Sequence, residues 1–384
     1  LNSVNPFLPL FVQQMGEFSN REAAFWSGVV IGASGIAMFI SAPLWGVMAD
    51  RWGRKPMLLR SLFGAAIVAS LTGLAPNVYY LVALRSAHGV LSGTVAAASA
   101  LIATTTPRDK LPFAMGLLSM AMFVGSTLGP LVGGFLADQY GYRTTFFVTA
   151  VLLLIGGVIT TVFVTEKFER PEKARATSFS SILQVASSSA IIPLLVVEFT
   201  LQAGPQMIAP IIPLFIREME PAGATATTSG LAFSLMGLLS AISGTLAGHF
   251  GGRISLKKIL IFSCLGAGLL YLPPIWSVTV AQLVIFFAIT GLPKGGLMTS
   301  SNAMVGLSVT QSQQGVAYGV AQSARALGNG MGPLIGGSLA RLLGFKAIFG
   351  VAGGLFVIAS IVVARLLKEQ PKNGGHEATI GKVR

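Results

Sequence analysis

The sequence has little charge and few residues suited to metal or redox chemistry. Only 10% of its 384 residues are charged, where about 25% is usual for soluble proteins, and it contains 1 cysteine and 3 histidines. A single cysteine excludes an internal disulfide. The patterns H-E-x-x-H, G-x-S-x-G and G-x-x-x-x-G-K-[ST] do not occur. The sequence therefore predicts neither an enzyme nor an ATP-driven machine, and it predicts no cofactor and no metal site.

The sequence is instead rich in long apolar runs. Hydrophobic residues make up 53% of the chain, and its mean hydropathy is +0.75. A membrane-spanning helix needs about 20 apolar residues, and eleven such runs follow one another. They cover residues 26–49, 57–75, 79–105, 113–137, 144–165, 188–216, 228–250, 259–275, 278–305, 315–340 and 345–367. The expected fold class is all-α and integral to a lipid bilayer.

The chain also repeats itself. The cassette GSTLGPLVGG at 125–134 returns as GNGMGPLIGG at 328–337, an offset of 203 residues, and WSG at 26–28 matches TSG at 228–230. Residues 1–15 match the end of the run at 188–216 with a similar offset, so they are expected to be the outer half of a first helix whose beginning is absent from the sequence. Internal repeats of this kind are common in transporters.

The repeat divides the chain into predicted segments. Two six-helix bundles are expected, with the first helix incomplete, joined by a polar linker and followed by a polar tail. The boundaries are 1–165 for the N-terminal bundle, 166–187 for the cytoplasmic linker, 188–368 for the C-terminal bundle and 369–384 for the cytoplasmic tail.

Lys and Arg predict the orientation, because they concentrate in cytoplasmic loops. Alternate loops hold Arg51, Arg54 and Lys55, then Arg108 and Lys110, then the linker, then Arg253, Lys257 and Lys258. Both termini are therefore expected inside the cell. The net charge of +13 follows from this topology, and no basic soluble domain suggests nucleic-acid binding.

Four motifs carry a family resemblance. They are GVMADRWGRKP (46–56), LRSAHGVLSG (84–93), the two glycine–proline cassettes and NPFLPLF (5–11). In their order and helix positions they resemble the major facilitator superfamily, and within it the drug:proton antiporter branch of bacterial multidrug exporters. The resemblance implies two six-helix bundles with pseudo-two-fold symmetry. It also implies a monomeric, multi-pass transporter of the bacterial inner membrane that exports small molecules in exchange for protons.

The first motif is a candidate gate, comprising Gly46, Asp50, Arg51, Gly53, Arg54 and Lys55. A carboxylate is favoured at a helix N-terminus, and the resemblance implies that Asp50 locks the two halves together in the outward-facing state. The alternative is a solvated basic loop that only sets topology. In the second half Gly248 stands where Asp50 would be, so the lock is expected on one side only.

The cassettes are candidate seams between the halves. Gly125, Gly129 and Gly133 recur every four residues and predict one smooth helix face for close packing, while a proline permits a kink. By resemblance the fifth membrane helix packs on the eighth and the eleventh on the second. The predicted seam residues are Gly125, Gly129, Pro130, Gly133, Gly134, Gly328, Gly332, Pro333, Gly336 and Gly337.

Polar residues within the runs mark a candidate proton and substrate cavity, because charges in hydrocarbon are costly and usually functional. The set is Arg85, His88, Glu198, Gln202, Lys294, Gln322, Arg325 and Asn329. Glu198 suits a proton carrier, or else forms a permanent salt bridge with Lys294 or Arg325. Arg85 is either the family's proton-handling arginine or a structural clamp, and His88 is a further proton group or a neutral packing residue. Three cations against one anion favour an anionic or zwitterionic substrate unless the absent part of the first helix carries a carboxylate.

Two other functions fit the same features. One is an exporter or importer of an anionic or sugar-type solute, or of a lipid-linked sugar, on the same fold. The other is a membrane sensor that transports nothing. Paired hinge-like seams favour transport over the sensor, since a static scaffold gains nothing from them.

Overall fold

The structure, a computed structural model, describes residues 5–107, 109–166, 168, 179–250, 255–310 and 313–367. Regular secondary structure within these ranges is helical throughout. Two short 3₁₀ helices, Asn5–Phe7 and Pro273–Trp276, accompany the α-helices. The α-helices are α1 (Leu8–Gln13), α2 (Asn20–Trp52), α3 (Arg54–Gly73), α4 (Val78–Leu91), α5 (Thr94–Thr105), α6 (Leu111–Tyr140), α7 (Tyr142–Phe163), α8 (Phe179–Ala186), α9 (Ile192–Ile208), α10 (Ile212–Met219), α11 (Thr225–Phe250), α12 (Leu256–Leu270), α13 (Val280–Ile289), α14 (Gly291–Leu307), α15 (Gln314–Leu343) and α16 (Phe345–Leu366). The predicted tail lies outside the described residues.

Ten stretches are long and apolar enough to cross a membrane. Three of them join two consecutive α-helices: α4 with α5, α9 with α10, and α13 with α14. The eleventh predicted run, 315–340, is α15, which has 30 residues but is not among these ten. Its glycines and its polar side chains lower its hydropathy, so its place in the bundle depends on packing rather than on apolar length.

The span formed by α4 and α5 is broken where α4 ends and α5 begins. Gly93 takes φ +114°, a left-handed conformation that favours glycine. Two backbone carbonyl groups at the break accept hydrogen bonds from side chains of neighbouring helices. Trp45 Nε1 donates to the carbonyl of Val90 at 2.6 Å, and Arg60 Nη2 donates to that of Ser92 at 3.0 Å. A break at membrane depth is tolerated because its polar backbone is satisfied in this way.

The helices pack as two groups joined by two long contacts. Within the first group α2 packs on α4 and α3 on α7, and within the second α12 packs on α16 and α9 on α15. Between the groups the main contacts are α2 with α15 and α6 with α11. At the start of the chain, α1 contacts α10, and Arg217 donates to the side-chain oxygen of Gln13 at 3.2 Å. These two residues are 204 apart, so repeat-related positions meet between the groups.

Candidate functional site: two helix seams and a buried ion pair

The contact between α6 and α11 is made by backbone against backbone. A Cβ atom on Gly134 would overlap the carbonyl oxygen of Ala226, and one on Gly230 would overlap that of Pro130. Ser234 also donates its hydroxyl to the carbonyl of Thr127. Only glycine allows this approach, so the composition of both helices determines how closely they pack.

The contact between α2 and α15 repeats the first one residue by residue. A Cβ on Gly337 would overlap the carbonyl of Ala24, and one on Gly28 would overlap that of Pro333. These four positions lie 202 or 203 residues from their counterparts at the first seam. Gly35 extends the contact, since its Cβ would meet the backbone of Gly330. The proline and the last glycine of each cassette therefore lie at equivalent seams.

The predicted seam face was wrong in one respect. Gly328, Gly332 and Gly336 pack against α9 in their own half, where a Cβ would approach the carbonyl oxygens of Phe199, Ala203 and Met207 respectively. Gly125 has no atom within 4 Å of a Cβ placed on it. On α15 the glycines at intervals of four do form one face, but that face packs within its own half, and the adjacent face, with Gly330 and Gly337, forms the seam.

Both seams are closed at one end and parted at the other. The closed end is where α6 and α15 finish and where α2 and α11 begin. Gly46, Gly116 and Gly319 lie 18 residues, or five helical turns, from Gly28, Gly134 and Gly337, on the same helix faces. A Cβ on any of the three would have nothing within 4 Å. The seam faces therefore separate toward this open end.

A buried ion pair joins three helices of the second half. Glu198 of α9 is 0% exposed, and its carboxylate accepts from Arg325 Nε at 2.5 Å and from Arg325 Nη2 at 3.1 Å. Ser301 of α14 donates to the same carboxylate at 2.7 Å. Arg325 of α15 is 20% exposed and also donates to the side-chain oxygen of Asn302. Of the two partners predicted for Glu198, the structure selects Arg325 rather than Lys294.

The other polar residues of this half lie around the pair. Gln206 donates to Asn329 at 2.5 Å and joins α9 to α15. Gln202 packs beside Gly328, while Gln322 is exposed on α15. Lys294 is half-buried on α14, seven residues before Ser301 and therefore on the same helix face.

The first-half candidates lie between α2, α4 and α7. Arg85 is 4% exposed, and its guanidinium carbon lies 6.0 Å from the ring centroid of Phe146. His88 Nδ1 lies 3.5 Å from the hydroxyl of Ser34, and α4 packs closely there, since a Cβ on Gly89 would overlap the Ser34 carbonyl. Both candidate roles for each residue remain predictions.

The gating motif turns from α2 into α3 at Gly53, which has φ +98°. Glu166, just beyond α7, accepts from the backbone N–H groups of Arg54 at 2.8 Å and Lys55 at 2.7 Å. The Lys55 ammonium donates to the carbonyl of Thr161 at 3.0 Å. These contacts lie within one half, and the Asp50 side chain lies outside the described part of the structure, so the proposed lock remains a prediction.

Two carboxylates at helix N-termini were not predicted as site residues. Glu166 caps α3, and Asp138 of α6 accepts from the backbone of α11. Each is a single acidic residue near the end of an apolar run. That is a weak signal in the sequence, because nothing there indicates which helix start lies opposite.

Comparisons with known proteins agree with this architecture. The family model described as Major Facilitator Superfamily matches residues 1–220 and again residues 194–383. Multidrug resistance protein MdtG of Citrobacter koseri is 36% identical over 93% of this chain and 89% of its own length. The protein of the same name from Klebsiella pneumoniae is 37% identical over 93% of this chain and 87% of its own.

Solved structures share the fold at low identity. A bacterial homologue of the human lysosomal transporter Spinster, in an inward-facing and unoccupied conformation, has a TM-score of 0.78 at 13% identity, covering 94% of this chain and 92% of its own. The nucleoside transporter NupG has a TM-score of 0.77 at 14% identity, covering 96% of both chains. With a family model matching both halves and relatives above one-third identity over nearly the whole chain, this protein belongs to the Major Facilitator Superfamily.

Proposed function

We propose that this chain is a secondary active transporter that exports small amphipathic compounds by alternating access in exchange for protons, in a bacterial inner membrane. The observation that carries the proposal is the pair of glycine seams, closed at one end and parted at the other, together with the ion pair that α15 forms with α9 beside one of them. The relatives named multidrug resistance proteins support the substrate class.

The orientation follows from the basic loops. Arg54 and Lys55 follow α2 at the open end, and Lys257 and Lys258 start α12 at that same end. The tendency of Lys and Arg to remain in the cytoplasm therefore favours an open end that faces the cell interior. The structure then represents the inward-facing state, in which a compound enters from the cytoplasm or the inner leaflet.

We propose Glu198 as the residue that carries the coupled proton. Its carboxylate is removed from water and is balanced by Arg325 when ionised. A proton on Glu198 cancels its charge and weakens its hold on Arg325, which borders the exposed side of the pair. Protonation can thus change the charge that α15 presents to a substrate, and an ionisable pair inside a membrane protein is typical of such relays.

Charge favours a second candidate substrate class. Within the described spans, Glu198 is the one carboxylate that lies away from the helix ends, and it is already paired with Arg325. Arg85 and Lys294 add two more cations. An anionic or zwitterionic compound balances this set better than a lipophilic cation does. Export of such compounds, rather than of cationic drugs, is the alternative that these residues support.

The test is transport by purified protein in proteoliposomes with and without a pH gradient. Two probes separate the substrate classes: ethidium, a lipophilic cation, and anilinonaphthalene sulfonate, a lipophilic anion. The wild type should accumulate at least one probe only when the gradient is present. Accumulation of neither, or accumulation that ignores the gradient, would contradict the proposal of proton exchange.

Glu198→Gln refines the test, because it keeps the shape of the side chain but cannot release a proton. We expect it to abolish gradient-driven accumulation and to leave downhill exchange of the same probe. Glu220→Gln, at an exposed loop carboxylate after α10, is the matched control and should behave as the wild type. Full retention of gradient-driven transport in Glu198→Gln would remove this residue from the mechanism.

A further inference from the structure

Asp138 makes a charged contact between the two halves. It lies in the last turn of α6, and its carboxylate accepts three hydrogen bonds from the first turn of α11. The donors are the backbone N–H of Ala226 at 3.3 Å, the backbone N–H of Thr227 at 2.7 Å and the hydroxyl of Thr227 at 2.7 Å. One acidic residue of the first half therefore caps a helix of the second.

The physical basis of the contact is the N-terminus of α11. The first backbone N–H groups of a helix have no partner within the helix, and the helix dipole favours negative charge there. Hydrogen bonds to an ionised acceptor are shorter and stronger than those between neutral groups. Asp138 thus supplies to α11 what a capping residue on α11 itself would supply in a soluble protein.

The contact forms only while the seam is closed. Ala226, whose N–H binds Asp138, is also the residue whose carbonyl lies against Gly134, one turn before Asp138 on α6. Separating α6 from α11 at this end would remove the carboxylate and the backbone contact together. The hydrogen bonds are therefore specific to the state that the structure represents.

We propose that Asp138 is a gating residue for transport, whose capping of α11 holds the closed end shut in the inward-facing state and must break in every cycle. Among the described residues, a carboxylate cap of this kind is found at this seam alone. At the other, the position related by 203 residues is Arg341, whose guanidinium carbon lies 5.4 Å from the ring centroid of Phe25. A cation above an aromatic ring is a weaker and less directional contact than a carboxylate on two N–H groups.

The position of Asp138 also complements that of Asp50. Asp50 lies in the last turn of α2 at the open end, and Asp138 lies in the last turn of α6 at the closed end. If Asp50 caps a helix of the other half once the open end closes, each state has one carboxylate lock. The inference about Asp138 depends on alternating access but not on the substrate or the coupling ion, so failure of either proposal can be recognised separately.

The test measures the two states directly in lipid nanodiscs. The chain has 1 cysteine, so Cys264→Ala provides the background for spin labels at Tyr80 and Val278, two exposed residues at the closed end, one in each half. Distances between the labels report the closed and open populations of that end. We expect Asp138→Asn to reduce the ratio of closed to open by about tenfold, as loss of a charged hydrogen-bond acceptor usually does. Asp138→Ala should reduce it further.

Two further variants keep the proposal open to disproof. Asp109→Asn, at an exposed loop aspartate, should leave the distances unchanged. Thr227→Val removes only the hydroxyl donor and should produce a smaller shift in the same direction, which covers the case that Asp138 variants fold poorly. Asp138→Ala and Thr227→Val distributions identical to the wild type would overturn the proposal. An equal shift in Asp109→Asn would also overturn it, because the effect would then follow net charge alone.

Discussion

The two seams have the same backbone contacts but different side chains. Pro130 lies against Gly230 at one, and Pro333 lies against Gly28 at the other, with Gly134 and Gly337 completing the pattern. Duplication has preserved the close approach of the helices. The glycines and prolines therefore satisfy a mechanical requirement that both seams share.

The amide and ionisable side chains in the middle of α15 are not repeated on α6. The positions of α6 related by 203 residues to Gln322, Arg325 and Asn329 of α15 are Ser119, Met122 and Ser126. Where Arg325 binds Glu198, the equivalent side chain is the thioether of Met122, which cannot form an ion pair. The close packing is therefore common to both seams, whereas the candidate proton chemistry lies beside one of them.

The largest effect is expected from Arg325→Met, which makes α15 resemble α6 at this position. Removing one partner of a buried pair commonly costs ~3–5 kcal/mol, because the remaining charge has lost its counter-ion. Thermal unfolding in detergent should show a clear loss of stability, and Glu198→Gln in the same chain should restore much of it. Met122→Leu is the control. An unchanged unfolding temperature for Arg325→Met would indicate that the pair contributes little.

Replacing a seam glycine with a larger residue should have the next largest effect. A valine at Gly134 or at Gly337 meets backbone rather than a movable side chain. Overpacking typically costs ~1–3 kcal/mol, equivalent to roughly 5–150-fold in the ratio of closed to open. The spin-label distances should lengthen for both variants alike. Gly125→Val, where a Cβ has free space in this state, is the matched control. A strong effect at one seam only would break the equivalence of the two.

Asp50→Asn should act at the opposite end of the molecule. Loss of a lock that forms in the outward-facing state should raise the inward-facing population and slow transport by roughly 5–10-fold, the size expected for one charged cap. Gly248→Asp, which places a carboxylate at the equivalent position of the second half, should impair transport less. Equal initial rates for the wild type and Asp50→Asn, at matched expression, would exclude a gating role.

The smallest effect is expected from Arg341→Leu. A cation above an aromatic ring contributes about 0.5–1 kcal/mol at an exposed site, so the closed population should fall only about 2–5-fold. Asp138→Asn, at the equivalent position of the other seam, should have a larger effect in the same assay. If Arg341→Leu matched or exceeded it, the charged lock would not be confined to one seam.

Much of the architecture was predictable because it depends on short-range patterns. Apolar length, the repeat and the basic loops indicated a two-half membrane bundle, and the resemblance identified the helix pairs that meet at the seams. Glu198 was recognised because a carboxylate is rare within an apolar run. The run at 315–340 was predicted as a span as well, and α15 forms there, although its polar side chains and glycines keep it out of the ten apolar stretches.

By itself, the sequence determined the class of the protein, its duplication and the residue types at its seams, since these depend on composition and spacing along one chain. Only the tertiary structure decided which glycine face meets which helix, that Arg325 rather than Lys294 binds Glu198, and that Asp138 caps α11. Helical periodicity places residues on a common face, but it does not specify the neighbour of that face. The neighbour depends on how helices distant in sequence pack against one another.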